Sequence, residues 1–407
     1  MRTPLDDLGT ASGVRPVSTA ARNATLLLLS ALTIMAGATI SPALPAIEAY
    51  FAGTPNAAIL TRLVLTIPAL FIALCAPFAG ILADRYGRRP VAIATVLLYG
   101  LSGLSGIVLD SLTGMLIGRA LLGIAVAGIM TTATALIGDY FSGSARDRFM
   151  GLQAAFMGLG GLFFLTGGGI LAELHWRAPF LVYAVAFALL PALVLFIREP
   201  VRTVAPVEHG KRERALGPII TLPLAVVLAA AVINSVVFYL MPTQLPFHLQ
   251  TLSASTPIIT GATLGAMTLA SSIMSLLYGR VRQRIGVSSI FAVGFAATAA
   301  GFTIVALANT STAVIPGAVI VGGGLGLIMP NLGSAAMGLA AENNRGRVAG
   351  MLTACIFVGQ FASPLISQPL IDQGGYPMAF GLGAGAILCA ALIALGIAAT
   401  YRVRQVV

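Results

Sequence analysis

The stretch "GILADRYGRRP" (residues 80–90) concentrates charged side chains in a chain that is 58% hydrophobic and only 9% charged. One carboxylate stands beside several guanidinium groups, and glycines frame them. Such a carboxylate can pair with arginines or cap the N-terminus of a helix, and a contact of this kind can hold one conformation and break in another. Glycine permits a tight turn and close helix approach. The predicted switch residues are Gly80, Asp84, Arg85, Gly87, Arg88 and Arg89.

Two other arginines, Arg62 and Arg119, lie inside long apolar stretches, about two helical turns from the start of each. A charge at membrane depth costs about 2.5–3.5 kcal/mol on insertion scales and is therefore a functional candidate. Either arginine is suited to attracting an anionic group or to tuning the proton affinity of a neighbour. The alternatives are that Arg62 snorkels to the membrane surface and that Arg119 donates hydrogen bonds to helix carbonyls.

Neutral polar side chains also occur in the middle of apolar stretches. They are Asn234, Tyr239, Asn331 and Gln360. Amides suit a pathway for a small molecule, because they donate and accept hydrogen bonds without a net charge. Hydrogen bonding between helices is the alternative role.

The apolar stretches contain neither a nucleophile–base pair nor a cluster of metal ligands, which argues against a membrane-embedded enzyme. We therefore predict no catalytic residue, no metal and no cofactor. All 13 Asp and Glu residues fall in tails, joints or helix ends. Candidates for a titrating group are consequently peripheral, and they are Glu48, Asp84 and Asp139.

The elements that must position these residues are membrane helices. Mean hydropathy is +0.96, and about 20 apolar residues are needed for each crossing. The sequence predicts an all-α membrane protein with twelve transmembrane helices. The expected limits are 24–47, 57–79, 91–109, 112–138, 150–172, 178–197, 217–241, 255–278, 287–308, 313–340, 348–371 and 377–400.

The two halves of the chain repeat. A shift of 199 residues places Arg85 on Arg284 and Gly87 on Gly286, and it also places Gly123 on Gly322. Such a parallel repeat predicts two pseudo-symmetric six-helix halves. Most of the 23 Lys and Arg residues lie in the tails and in alternate joints, which predicts that both termini are cytoplasmic. The expected divisions are a tail at 1–23, halves at 24–197 and 217–400, a cytoplasmic linker at 198–216 and a tail at 401–407.

The formal net charge of +10 does not indicate a nucleic-acid partner, because the basic residues form no patch interleaved with aromatic residues. The three cysteines lie far apart inside apolar stretches, which predicts free thiols.

The opening stretch resembles the loop motif of the major facilitator superfamily, G-x-L-A-D-R-x-G-R-R/K, at every fixed position. "GRALLGIAVAG" (118–128) resembles that family's R-x-x-x-G element through Arg119 and Gly123. The likeness covers the whole chain. In the second half, "GRVRQRIGV" (279–287) has Gln283 where Asp84 stands, which predicts a stronger carboxylate lock in the first half.

The segment "FYLMPTQLPFHLQ" (238–250) resembles the drug-efflux branch, drug:proton antiporters. The fifth helix departs from that branch, with Phe164-Leu165 where a Gly-Pro pair is expected. The resemblance implies a secondary active transporter of the bacterial cytoplasmic (inner) membrane that exports drug-like or metabolite substrates by alternating access. Protons are the candidate coupling ion, and a monomer is expected. An organic-anion carrier drawn by Arg62 and Arg119, or a uniporter, is the alternative.

Overall fold

The computed structural model describes residues 18–199, 220–253 and 255–404. Most of the predicted N-terminal tail and linker and the last three residues lie outside these ranges. Within them the chain is helical and has no β-strand. The α-helices are Thr19–Ala38, Leu44–Tyr50, Ala57–Tyr86, Arg88–Val108, Leu112–Tyr140, Gly143–Leu174, Val185–Phe196, Leu222–Phe238, Leu240–Leu252, Pro257–Arg284, Val287–Leu307, Ser311–Leu339 and Arg345–Arg404. Short 3₁₀ turns occupy Ser41–Ala43, Ala178–Ala184 and Glu342–Asn344.

These helices make twelve membrane crossings. Eleven segments of the described chain are long and apolar enough to cross a membrane, and the last of them is 56 residues long. That segment breaks at Gly375, whose φ of 73° interrupts the helix, so it provides two crossings. The predicted twelve-helix fold is therefore confirmed. Spans 1 to 10 are Thr19–Tyr50, Ala57–Tyr86, Arg88–Val108, Leu112–Tyr140, Gly143–Leu174, Ala178–Phe196, Leu222–Leu252, Pro257–Arg284, Val287–Leu307 and Ser311–Leu339, and spans 11 and 12 are Arg345–Thr400 before and after Gly375.

Spans 1 and 7 are interrupted at equivalent places. The first helix of span 1 ends at Ala38, and the first helix of span 7 ends at Phe238. Pro42 and Pro45 follow the break in span 1, where each lacks the N–H that a continuous helix needs. The sequence predicts continuous spans at 24–47 and 217–241, so it misses both breaks. Interrupted helices at corresponding positions of two halves are a pointer to a binding region.

Each half has its own hydrophobic core, one built mainly from spans 1 to 6 and the other from spans 7 to 12. Between the halves, span 5 packs against span 8, and span 2 packs against the long helix of spans 11 and 12. We call the side at which spans 2 and 3, 4 and 5, 8 and 9, and 10 and 11 are joined the basic side. The other side of the membrane is called the opposite side.

Candidate functional site

Arg62 lies between the two halves on the opposite side. Its side chain is only 1% exposed. The Nε atom donates a hydrogen bond to Oε1 of Gln244 in span 7 at 2.7 Å, and Nη1 donates to Oε2 of Glu48 in span 1 at 2.5 Å. Because the guanidinium is buried and satisfied within the protein, the interpretation that Arg62 snorkels is wrong.

The contacts around Arg62 continue through the second half. Gln244 Nε2 donates to Oγ of Ser367 at 2.9 Å, and Arg62 Nη2 donates to the hydroxyl of Tyr376 at 3.5 Å. The guanidinium carbon lies 3.8 Å from the ring centroid of Phe247, within range of a cation–π contact. This group joins the halves on the opposite side, and we call it the opposite-side latch. Its members are Glu48, Arg62, Gln244, Phe247, Ser367 and Tyr376.

Arg119 is equally buried, at 1% exposure, but it lies inside the first half. Its Nε donates to the carbonyl of Val64 at 3.0 Å, and Nη1 donates to the hydroxyl of Tyr183 at 2.7 Å. Nη2 donates to the carbonyl of Ala36. Among the roles that the sequence suggests for Arg119, donation to helix carbonyls is the one that these contacts match.

The two carbonyls that Arg119 binds lack a helical N–H donor for identifiable reasons, and the Ala36 carbonyl also accepts from the Tyr183 hydroxyl at 3.0 Å. A helical carbonyl accepts from the N–H four residues later, and four residues after Val64 stands Pro68, which has no N–H. Ala36 belongs to the last turn of its helix, where carbonyls are unpaired and the helix dipole favours a cation. Arg119 therefore stabilises the irregular points of spans 1 and 2.

The switch loop uses carboxylates other than Asp84. Glu199, just after span 6, accepts hydrogen bonds from the backbone N–H groups of Arg88 and Arg89 at 2.7 and 2.8 Å, which caps the start of span 3. Arg88 also forms an ion pair with Asp139 of span 4. Asp84 is exposed and has no hydrogen bond or ion pair to any described residue.

The glycines of the loop differ in their roles. Gly87 has a φ of 100°, which a residue with a side chain rarely adopts, and it makes the tight turn that the sequence predicts. A Cβ added to Gly87 would also lie 3.0 Å from the Glu199 carboxylate. A Cβ added to Gly80 would lie 3.8 Å from a methyl carbon of Thr131, an ordinary contact, so close helix approach does not require glycine there. Arg85 is exposed, and its guanidinium carbon lies 5.5 Å from the ring centroid of Tyr86.

These contacts separate the effects of two acidic residues. We expect Glu199→Ala to destabilise the protein by about 1 kcal/mol, because it removes the cap of span 3. The matched variant Asp84→Ala should leave the thermal midpoint of the purified protein unchanged, because Asp84 has no partner in this conformation. Thermal denaturation in detergent measures both. Equal destabilisation by the two variants would contradict the capping role of Glu199.

The neutral polar residues fall into two groups. Both polar atoms of the Asn331 amide are hydrogen-bonded within the second half. Its Nδ2 donates to the Val287 carbonyl at 2.9 Å, and its Oδ1 accepts from the Tyr278 hydroxyl at 3.2 Å. Asn234 is 1% exposed, and neither polar atom of its amide has a hydrogen-bond partner among residues 18–199, 220–253 and 255–404. Gln360 is half-buried and makes no hydrogen bond with the described residues. The unpaired amides are therefore the better candidates for binding a substrate.

Tyr239 stands at the interruption of span 7 and reaches the first half. Its hydroxyl lies 3.2 Å from the position that a Cβ on Gly37 would occupy, near the interruption of span 1. The two interrupted helices thus face each other across the boundary between the halves. Glycine at position 37 leaves room for the phenol.

Spans 5 and 8 are in contact from their opposite-side ends as far as Gly158, where an added Cβ would overlap the side chain of Ser272. A Cβ added to Gly169 would lie 2.6 Å from the carbonyl oxygen of Pro257, so the two backbones are in contact there. A Cβ added to Gly151 or Gly279, near the basic ends of the same two spans, would meet no other atom within 4 Å. The latch and spans 5 and 8 therefore join the halves on the opposite side, and added side-chain atoms have room near the basic ends of the same two spans.

Within residues 18–199, 220–253 and 255–404, no group of three or more His, Cys, Asp or Glu side chains could hold a metal ion. The groups that the site does offer are unpaired amides and a polar network across the boundary between the halves. Such groups bind a molecule and change partners when the halves move.

Comparison with known proteins agrees with this architecture. The profile of the Major Facilitator Superfamily matches residues 26–267 and 254–405. The chain is 27% identical over 358 residues to the class C tetracycline resistance protein of Escherichia coli, which covers 84% of this chain and 88% of the relative. It is 26% identical over 316 residues to multidrug resistance protein 1 of Bacillus subtilis (strain 168), which covers 75% and 79% of the two chains.

A solved structure shares the fold. The crystal structure of a D-xylose-proton symporter superposes with a TM-score of 0.77 at 14% identity, and the match covers 92% of this chain and 96% of the symporter. At that identity the likeness supports the fold alone. The family profile, which spans both halves of the twelve-helix fold, shows that this chain belongs to the major facilitator superfamily.

Proposed function

We propose that this protein exports a drug-like small molecule across the bacterial cytoplasmic membrane by alternating access, with the basic side facing the cytoplasm. Secondary active transport follows from its family. The observation that carries the proposal is the opposite-side latch, which holds the halves together on that side, while Gly151 and Gly279 near the basic ends of spans 5 and 8 have no close neighbour. We infer from these contacts a conformation that is open to the basic side. That is the conformation in which an exporter would take up its substrate. The positive charge of the basic side favours its placement in the cytoplasm.

The direction and the substrate class are supported by the relatives and by the site. The relatives are named for resistance to tetracycline and to multiple drugs, and they are bacterial. The organic-anion alternative depends on Arg62 and Arg119 as free positive charges. Both guanidinium groups are occupied by acceptors of the protein itself, which favours a neutral or cationic substrate.

The switch loop has a place in this proposal. Asp84 has no partner among the described residues, which supports a lock that forms only when the basic side closes. Asp84→Asn should therefore slow turnover without weakening substrate binding. Protons are the proposed coupling ion, with Glu48 and Asp139, each about a third exposed, as accessible carboxylates on the two sides. A monomer suffices, because one chain contains both halves.

Transport into vesicles of known orientation tests the export proposal. Purified protein is reconstituted so that its basic side faces outwards, and the uptake of tetracycline and of a fluorescent lipophilic cation is measured with an acidic vesicle interior. We expect uptake that collapses when the pH gradient is abolished. Uptake of organic anions only, or equal rates with and without the gradient, would contradict the proposal.

The two kinds of amide give a matched pair of variants for the binding site. Asn234→Ala should weaken substrate binding about tenfold, the effect of losing one good hydrogen bond, and should leave the thermal midpoint nearly unchanged. Asn331→Ala should do the reverse, because both of its bonds hold spans 8, 9 and 10 together. Gln360→Ala should behave like Asn234→Ala. Isothermal titration and thermal denaturation on the same preparations measure both quantities. Unchanged affinity in Asn234→Ala would remove it from the binding site.

A further inference from the structure

The second half contains a large groove at its basic end that the transport site does not use. Its volume is about 1350 Å³, above the range of about 300–1,000 Å³ typical of small-molecule pockets. Its walls are mainly apolar side chains from spans 7, 9, 10 and 12, among them Leu222, Val226 and Ile393. Arg282 and Arg284 stand at its rim, and none of the described residues that line it is acidic. The groove is therefore apolar within and positively charged at its mouth.

The internal repeat shows what the groove lacks. In the first half, the Glu199 carboxylate accepts the N–H groups at the start of span 3. The shift of 199 residues equates the start of span 3 with the start of span 9, and it equates Glu199 with Ala398, which lines the groove. Span 9 begins at Val287 after Gly286 with no side-chain cap and no acidic residue in its first turn. The second half thus has the same helix start, but within the described part of the chain no acidic side chain caps it.

Both arginines at the rim are also accessible to a ligand. Arg282 and Arg284 are exposed, and neither has a hydrogen bond or ion pair with any residue of the described ranges. Ser288 and Ser289 line the same mouth. A helix N-terminus flanked by guanidinium and hydroxyl groups is suited to a phosphate.

We propose that this groove binds an acidic phospholipid of the basic-side leaflet. The headgroup phosphate would accept hydrogen bonds from Arg282, Arg284 and the first turn of span 9, and the acyl chains would lie along Leu222, Val226 and Ile393. Basic pockets between membrane helices recognise acidic headgroups in this way. Residues 200–219 of the chain itself are the other possible occupant, and their charge argues against them. The segment has two glutamates against four basic residues, which are Arg202, Lys211, Arg212 and Arg214. A basic segment is a poor partner for a basic mouth.

The test uses fluorescence quenching in nanodiscs and needs no transport. Trp176, the single tryptophan, lies in the first half and is replaced by Phe, and Ile397→Trp supplies a reporter in the groove wall. Phosphatidylglycerol with brominated chains is titrated into phosphatidylcholine discs, and brominated phosphatidylcholine is titrated in parallel. We expect quenching at a much lower mole fraction of phosphatidylglycerol than of phosphatidylcholine.

The rim arginines provide the decisive variants. Each should contribute about fivefold to the preference for phosphatidylglycerol, so Arg282→Gln with Arg284→Gln should reduce it about 25-fold. Arg345→Gln with Arg347→Gln removes the same charge from the basic side outside the groove and should change nothing. If the double variant at the rim does not fold, the single variants should each show the fivefold loss.

Three results would overturn the proposal. Equal quenching by both lipids would mean ordinary contact with the bilayer. Competition by inorganic phosphate alone would mean a site for a free anion. Quenching that appears only after deletion of residues 200–219 would mean that this segment occupies the groove.

Discussion

Replacing Arg62 with glutamine should shift the protein from the state described here towards a state that is open on the opposite side. The substitution removes the charge that joins Glu48 of the first half to Gln244 and Tyr376 of the second. Hydrogen bonds to charged groups contribute about 1.5–3 kcal/mol each. Losing one of them changes the ratio of the two states about tenfold or more. We expect transport to fall, because the opposite side no longer closes firmly during the cycle.

Arg177 offers a matched control for this prediction. It lies on the same side and pairs with a carboxylate, Asp110, but both residues belong to the first half. Arg177→Gln should leave the balance of states unchanged. Arg62→Lys should restore part of the effect, because an ammonium can pair with Glu48 but cannot reproduce the guanidinium fork that also binds Gln244. If Arg177→Gln opened the opposite side as much as Arg62→Gln does, the latch would not be the cause.

Replacing Arg119 with glutamine should destabilise the folded protein by about 2–4 kcal/mol, because buried acceptors lose a charged donor. The carbonyls of Ala36 and Val64 have no helical donor to replace it, as the end of a helix and Pro68 determine. Glutamine is also too short to bind spans 1, 2 and 6 together. We expect a clear fall in the thermal midpoint in detergent and a low yield of folded protein.

Arg119→Lys is the companion variant. Its ammonium keeps the charge near the C-terminal end of the first helix of span 1 and should recover about half of the lost stability. Substrate affinity, measured on the fraction that remains folded, should stay close to that of the unchanged protein in both variants. A fully stable Arg119→Gln that no longer binds a neutral drug would show that Arg119 belongs to the binding site and does not serve the fold.

Local patterns in the chain were enough to predict most of the architecture. Hydropathy located the crossings, since each span must be apolar over about 20 residues. The shift of 199 residues predicted the two halves, which the interrupted spans 1 and 7 now support at positions 38 and 238. The positive φ of Gly87 follows from its place in a turn between two helices. These features depend on neighbouring residues and are therefore readable in sequence.

The latch depends on distant residues and could not be predicted in the same way. Gln244 lies 182 positions after Arg62 and Tyr376 lies 314 positions after it. Neither is charged, so neither stood out among apolar neighbours. The sequence indicates Glu48 only as a peripheral carboxylate, and it gives no sign that Glu199 caps a helix that begins 111 positions earlier. Pairing of this kind is set by how helices pack.

The role of Arg119 can be predicted in part from the sequence. Pro68 in the middle of span 2 necessarily leaves the carbonyl of Val64 without its helical donor. A buried arginine on a neighbouring span is a natural partner for such a carbonyl, and this reasoning extends to other prolines within membrane helices. Which arginine reaches it is decided by the packing of spans 2 and 4.

Distances between spin labels on the two sides test the central claim, that the halves move against each other about the closed latch. In a background without the three native cysteines, one pair of labels is placed at Gly53 and Thr256 on the opposite side. A second pair is placed at Gly151 and Gly279 on the basic side, where added atoms have room. We expect a short opposite-side distance and a long basic-side distance in the unchanged protein. We also expect Arg62→Gln to lengthen the first distance and to shorten the second together. A change in one pair without a reciprocal change in the other would contradict alternating access through this latch.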